Sequence, residues 1–153
     1  MTSLALRPIL VVEDNAEDFA ALSRVFRKHA LQHPVLRCED GDQALAYLQG
    51  YGRAAGWPPV LPALVLLDLN LPGTDGRAVL AALKQDPHLR AMPVVVFSTS
   101  SSQLDIEYCY QLGANSYLTK PIEYAAMEEK IQRTMQYWLE TSELPPINYS
   151  PSL

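Results

Sequence analysis

This chain carries no stretch of basic residues dense enough to grip a polyanion. Its 12 lysines and arginines are outnumbered by 17 aspartates and glutamates, the formal net charge is −5, and no basic cluster exceeds Arg24, Arg27 and Lys28. Binding to nucleic acid needs patches that neutralise phosphates, so no nucleic-acid partner is expected. Cysteine is equally scarce. Cys38 and Cys109 stand alone in apolar surroundings, without metal-type spacing, and read as reduced core thiols of a cytosolic protein. No window approaches the ~20 apolar residues that a membrane span requires. Arg7 and Pro8 interrupt the apolar residues ahead of Ile9, so no secretory signal is expected. Internal repeats are lacking as well. These absences leave a soluble, cytoplasmic protein as the expectation.

What is present is a globular composition. The 153 residues are 48% apolar and 19% charged, enough for one domain that buries roughly two thirds of its surface. Strand and helix patterns alternate along it. Four-residue apolar runs at 9–12, 64–67 and 94–97 read as buried strands, with weaker ones at 35–39 and 116–119. Between them, residues 16–31 place Phe19, Leu22, Phe26 and Ala30 on one helical face, capped by Asp14 or Asn15. Asp40-Gly41-Asp42 turns into a helix over 43–49, and the Gly- and Pro-rich stretch 50–62 reads as a loop. A third helix carries Val79, Leu80 and Leu83 and stops before Pro87. A fourth spans 103–112 and ends at Gly113. The last, from Tyr124 to about Glu140, puts Met127, Ile131, Met135 and Trp138 on one stripe. Five strands alternating with five helices predict a doubly wound α/β fold, a parallel sheet in the order 2-1-3-4-5 with right-handed crossovers. The single domain is expected to end at residue 143, and 144–153, with three prolines, reads as a tail.

Several polar residues fall directly after the strands. Glu13-Asp14 follow the first, Asp68 the third, Ser98 the fourth and Lys120 the fifth. In a parallel sheet all of these lie on one edge, the edge where open α/β sheets bind ligands. Strands one and three are neighbours ~4.8 Å apart, so Asp14 and Asp68 approach closely, and such a carboxylate pair calls for a proton or a cation. Mg²⁺, or Mn²⁺, suits this set: Asp14 and Asp68 as ligands, the backbone carbonyl of Asn70 as a third, and Glu13 holding a metal-bound water. Aspartate also accepts phosphoryl groups, and Asp68 is the central one. Lys120 would then offset phosphoryl charge from the side opposite the metal. Ser98 would donate to a phosphoryl oxygen only once one is present, which makes it a switch. Taken singly, each residue also has an ordinary reading: Asp14 as a helix cap, Asp68 as a turn residue, Ser98 as a strand-end hydroxyl, Lys120-Pro121 as a loop entry.

Over about residues 8–140 the chain resembles a response-regulator receiver domain of the chemotaxis-regulator type. The resemblance rests on Glu13-Asp14, Asp68, the turn Leu71-Pro72-Gly73-Thr74-Asp75-Gly76, Ser98, Tyr117 and Lys120-Pro121. It implies a phosphoacceptor regulator and not an enzyme, a cis Lys120–Pro121 bond, and a Tyr117 that swings inward when Ser98 moves toward the phosphate. Three positions depart from the family's usual residues: Glu13 stands where Asp is commoner, Ser98 where Thr is, and Ser100 at a site often acidic.

The insertion 50–62 and the end Tyr137-Trp138-Leu139-Glu140-Thr141-Ser142-Glu143-Leu144-Pro145 are similar to stand-alone regulators that pair with cyanobacterial phytochrome histidine kinases. That resemblance implies a homodimer through the fourth helix, fifth strand and fifth helix. Tyr137, Trp138 and Leu139 are three consecutive apolar residues, and Tyr137 together with Leu139 is expected to point away from the core as partner surface. Other readings fit less well. A haloacid-dehalogenase-type phosphatase needs an Asp two residues after the nucleophile, where Asn70 stands. A flavin-binding module needs a phosphate loop where Glu13-Asp14-Asn15 stand. A pseudo-receiver that acts without phosphorylation would lack a site residue, and none is missing.

Overall fold

A computed structural model describes residues 6–50 and 61–146. Most of the insertion at 50–62 and the tail beyond 146 therefore lie outside the described residues. Five strands, β1 (Ile9–Val12), β2 (Val35–Cys38), β3 (Leu64–Leu67), β4 (Val94–Ser98) and β5 (Ser116–Thr119), form one parallel sheet in the order β2-β1-β3-β4-β5. Helices α1 (Ala16–Lys28), α2 (Gly41–Gly50), α3 (Gly76–Gln85), α4 (Gln103–Leu112) and α5 (Tyr124–Gln136) connect and follow them. The expected order holds. Strands β1, β3 and β4 are buried throughout, as continuous apolar runs covered on both faces should be, whereas β2 and β5 are half-buried edges.

Side-chain alternation divides the core in two. Leu10, Val12, Val65, Leu67, Val94 and Val96 pack against α2 and α3 through Ala44, Leu48, Val79, Leu80 and Leu83, with Cys109 of α4. Ile9, Val11, Leu64, Leu66, Val95 and Phe97 pack against α1 and α5 through Leu22, Val25, Phe26, Met127, Ile131 and Met135. Both cysteines are buried and unpaired. The outer side of β5 is covered by its own flanking helices: Tyr110 of α4 accepts the Tyr117 N–H through its hydroxyl at 3.1 Å, and Lys130 Nζ of α5 donates to the Thr119 carbonyl at 2.8 Å.

Two helix ends differ from the sequence pattern. Helix α1 stops at Lys28, three residues before its apolar periodicity gives out. Leu31 N–H bonds to the Phe26 carbonyl at 2.9 Å and Ala30 N–H to the Arg27 carbonyl at 3.2 Å, a Schellman closure with Ala30 at φ 54°. Ala30 thus occupies a left-handed position that glycine ordinarily takes, as Gly113 does behind α4 at φ 109°. Helix α5 gives way at residue 137 to a wider π turn over Tyr137–Thr141. The extra residue in that turn brings both Trp138 and Leu139 against the α1–α5 core, so only Tyr137, 52% exposed, points away as expected.

The left-handed Ala30 generates a test. Ala30→Gly is expected to raise stability by roughly 0.5–1 kcal/mol, the strain of a Cβ there less the entropy of a freer unfolded chain. Urea unfolding with an unchanged m-value reads it directly, and a fall in midpoint would show that Ala30 is unstrained.

Candidate functional site

The sheet ladder runs one residue past each of three strands. Glu13 N–H donates to the Cys38 carbonyl (3.0 Å), Asp68 N–H to the Val12 carbonyl (3.0 Å) and Lys120 N–H to the Ser98 carbonyl (2.7 Å). The backbones of the candidate residues are therefore fixed by neighbouring strands before any side chain acts. A close approach adds to this at Asp68. Gly76 opens α3 against the β3 end, where a Cβ would lie 2.2 Å from the Asp68 carbonyl oxygen.

Lys120 Nζ sits at the centre of the edge. It lies 2.6 Å from Glu13 Oε1, 3.1 Å from Asp68 Oδ2 and 3.0 Å from Asp18 Oδ2. Glu13 is 2% exposed and Asp68 7%, while Asp14 is exposed. Asp68 Oδ1 accepts the Leu69 N–H at 2.7 Å and the Asn70 N–H at 3.4 Å, which fixes the carboxylate plane with Oδ2 toward the lysine. Glu13 Oε2 accepts the Asn15 N–H at 3.2 Å, and Asn15 Oδ1 in turn caps α1.

Burial pushes the Glu13 carboxyl up to about 7, and the charge of Asp68 adds to it, against the opposing bond and charge of Lys120. Burial alone would depress Lys120, yet its bond to Glu13, the charges of Asp68 and Glu13, and its bond to Asp18 leave it raised. Both partners of one ion pair move up for different reasons: burial is the larger cause for Glu13, with the Asp68 charge adding to it, whereas the surrounding carboxylates raise Lys120 against its own burial. Glu13, Asp14 and Asp68 each offer an oxygen, all within 4.8 Å of one another. Three hard oxygen donors carrying excess negative charge fit a Mg²⁺ or Mn²⁺ ion.

Of the residues singled out in the sequence, Glu13, Asp14, Asp68 and Lys120 come together, and Asn70 lies at their rim. Ser98 is fully buried, and its Oγ accepts the Ser100 N–H at 3.1 Å, so it is bonded along its own loop. Tyr117 is half-buried and its hydroxyl donates to the Ser100 carbonyl at 2.8 Å. The expected cis bond before Pro121 is not found: every peptide bond among the described residues is trans, the lower-energy isomer even before proline. Sequence reasoning passed over Asp18. It stands in the first turn of α1, where its carboxylate meets Lys120 at the sheet edge, and its helical position masked it as an ordinary first-turn acid.

Comparison with known proteins accounts for this arrangement. The family model for the response regulator receiver domain matches residues 9–132. The response regulator Rcp1 of Synechocystis is 41% identical over 137 residues, covering 90% of this chain and 92% of its own. The crystal structure of its Mn²⁺-bound form superposes with a TM-score of 0.84 at 40% identity, over 92% of this chain and 99% of that one. The phosphorylated cyanobacterial phytochrome response regulator RcpA superposes equally well, with a TM-score of 0.84 at 39% identity over 93% of this chain and all of that one. Regulators of this type are phosphoacceptors and not enzymes. Among the described residues no helix is long and apolar enough to cross a membrane. The chain belongs to the response regulator receiver domain family.

Proposed function

We propose that this protein receives a phosphoryl group on Asp68 from a histidine kinase of the phytochrome type and passes the signal on through protein contacts. The observation that carries the assignment is Asp68 itself: it is buried at the end of the central strand, fixed by two backbone N–H groups, and faces Lys120. The likeness to RcpA, a phytochrome regulator crystallised in phosphorylated form, supports the choice of donor.

In the transfer an Asp68 oxygen bonds to phosphorus as the P–N bond of the donor phosphohistidine breaks, and the leaving imidazole takes up a proton. Lys120 neutralises phosphoryl oxygens on one side. Glu13, Asp14 and Asp68, with the Asn70 carbonyl, are the residues that would hold Mg²⁺ or Mn²⁺, and such a cation would supply further offset of the phosphoryl charge. Ser98 Oγ–H turns to a phosphoryl oxygen, and Tyr117 follows. We assign residues 1–143 to the receiver domain and 144–153 to its tail, place the protein in the cytoplasm, and expect no nucleic-acid partner.

The output surface is the face of α4, β5 and α5, which we propose also forms a homodimer. Leu104 and Tyr108 of α4 are 78% and 47% exposed, and Tyr137, in the π turn that follows α5, is 52% exposed. Trp138 and Leu139 pack inward against the α1–α5 core and are not offered as contact residues.

Intact mass after incubation with acetyl phosphate and Mg²⁺ is expected to show one added phosphoryl group, lost in Asp68→Asn and without metal. A folded wild-type protein that gains no mass would make this a pseudo-receiver acting through its dimer face. Asp14→Asn alters an exposed side chain, so it should leave the melting temperature of the metal-free protein intact while weakening Mn²⁺ binding by about tenfold or more. Unchanged Mn²⁺ affinity by titration calorimetry would remove Asp14 from the ligand set. Tyr137→Ser should shift the dimer toward monomer in sedimentation with only a small fall in melting temperature, from the lost edge-to-face contact with the Trp138 ring, whereas Trp138→Ala should chiefly destabilise, by roughly 2–3 kcal/mol. A Tyr137→Ser protein that stays dimeric would move the interface elsewhere.

A further inference from the structure

Every polar group of Ser100 is engaged. Its N–H donates to Ser98 Oγ at 3.1 Å, and its carbonyl accepts from the Tyr117 hydroxyl at 2.8 Å. Its own hydroxyl donates to Asp105 Oδ2 at 2.6 Å and accepts the Ser102 N–H at 3.2 Å. One residue of the β4–α4 loop thus holds both groups assigned to the switch and ties them to the first turn of α4.

The tie continues into α3. Asp105 Oδ1 accepts Arg77 Nη2 at 2.7 Å and Nε at 3.2 Å, and Arg77 Nη1 reaches back to Asp75 Oδ1 at 3.2 Å. Asp75 caps α3 through the Arg77 N–H at 2.9 Å. Arg77 and Asp105 are each about one-quarter exposed, so their pair is partly shielded from solvent.

A Ser98 hydroxyl that turns to a phosphoryl group gives up, or drags with it, the Ser100 N–H. A Tyr117 ring that moves inward withdraws its hydroxyl from the Ser100 carbonyl. Both losses fall on one residue, and that residue is anchored by a carboxylate which an arginine of another helix holds in place. We propose that Arg77 and Asp105 are positioning residues for the switch: acting through Ser100, they hold Ser98 and Tyr117 in the resting arrangement and oppose their response to phosphorylation of Asp68. The inference rests on the phosphoacceptor reading. Neither residue touches the phosphoryl site, and both act by biasing a two-state loop.

The test compares wild type, Asp105→Asn and Arg77→Lys, each checked for folding by its thermal melt. The readouts are the amide resonances of Ser98, Ser100 and Tyr117 and the rate of labelling by acetyl phosphate with Mg²⁺. Asp105→Asn, without phosphodonor, should move those amides part-way along the line joining resting and phosphorylated wild type. It should also speed labelling by about tenfold, the equilibrium equivalent of one charge-assisted hydrogen bond. Arg77→Lys, which keeps the charge but not the fork, should fall between. In a Ser98→Ala background the gain in rate from Asp105→Asn should vanish. A lowered melting temperature with wild-type amide positions and labelling rate would mean a purely structural bridge and overturn the proposal. A folded wild type that takes no label would overturn the phosphoacceptor reading and this inference together; a labelled wild type with unresponsive variants overturns this inference alone.

Discussion

One ammonium group, that of Lys120, stands among the carboxylates at the carboxyl edge of the sheet, and the site depends on that imbalance. Removing Lys120 would leave Glu13 and Asp68 buried side by side with no cationic partner, a severe penalty in a low-dielectric setting. Keeping it balances only part of the charge: Glu13 is pushed toward neutrality chiefly by its burial and further by the Asp68 charge, while the surrounding carboxylates hold the lysine firmly protonated. A site in this condition favours additional positive charge. That excess of negative charge is the property on which the proposed cation binding rests.

The fold makes such a strained arrangement tolerable. Three site residues continue the backbone ladder of adjacent strands, so repulsion among the side chains cannot be relieved by moving the chain. Behind Asp68 the α3 entry is packed so closely that only a glycine fits at position 76. Two fully buried core layers hold the strands in register on either side. Rigid support below and uncompensated charge above is the combination expected of a site whose chemistry is electrostatic positioning.

Much of this was legible in the residues. Runs such as Leu64-Val65-Leu66-Leu67 have no reading as amphipathic helix or half-exposed strand, so the buried parallel sheet followed, and with it the common edge for Asp14, Asp68, Ser98 and Lys120. What stayed hidden depends on contacts between distant segments. Asp18 differs from any first-turn acid only because Lys120, 102 residues away, reaches it. The early end of α1 was concealed by Ala30, which fits the helical stripe yet takes a left-handed turn. The inward Leu139 results from a π turn, which breaks the 3.6-residue period on which stripe arguments rest. The hub at Ser100 reads in sequence as part of a polar loop, since its four partners are drawn from β4, its own loop, α4 and β5.

The covered margin of β5 has a consequence for how copies of this protein meet. A half-buried terminal strand ordinarily offers a ladder of amides and carbonyls on which a foreign strand can template. Here a tyrosine hydroxyl and a lysine ammonium from the neighbouring helices already occupy that ladder at Tyr117 and Thr119. One N–H and one carbonyl of this strand are thereby already engaged and less open to a templating strand. Contacts that a partner makes with this strand are accordingly weighted toward its side chains.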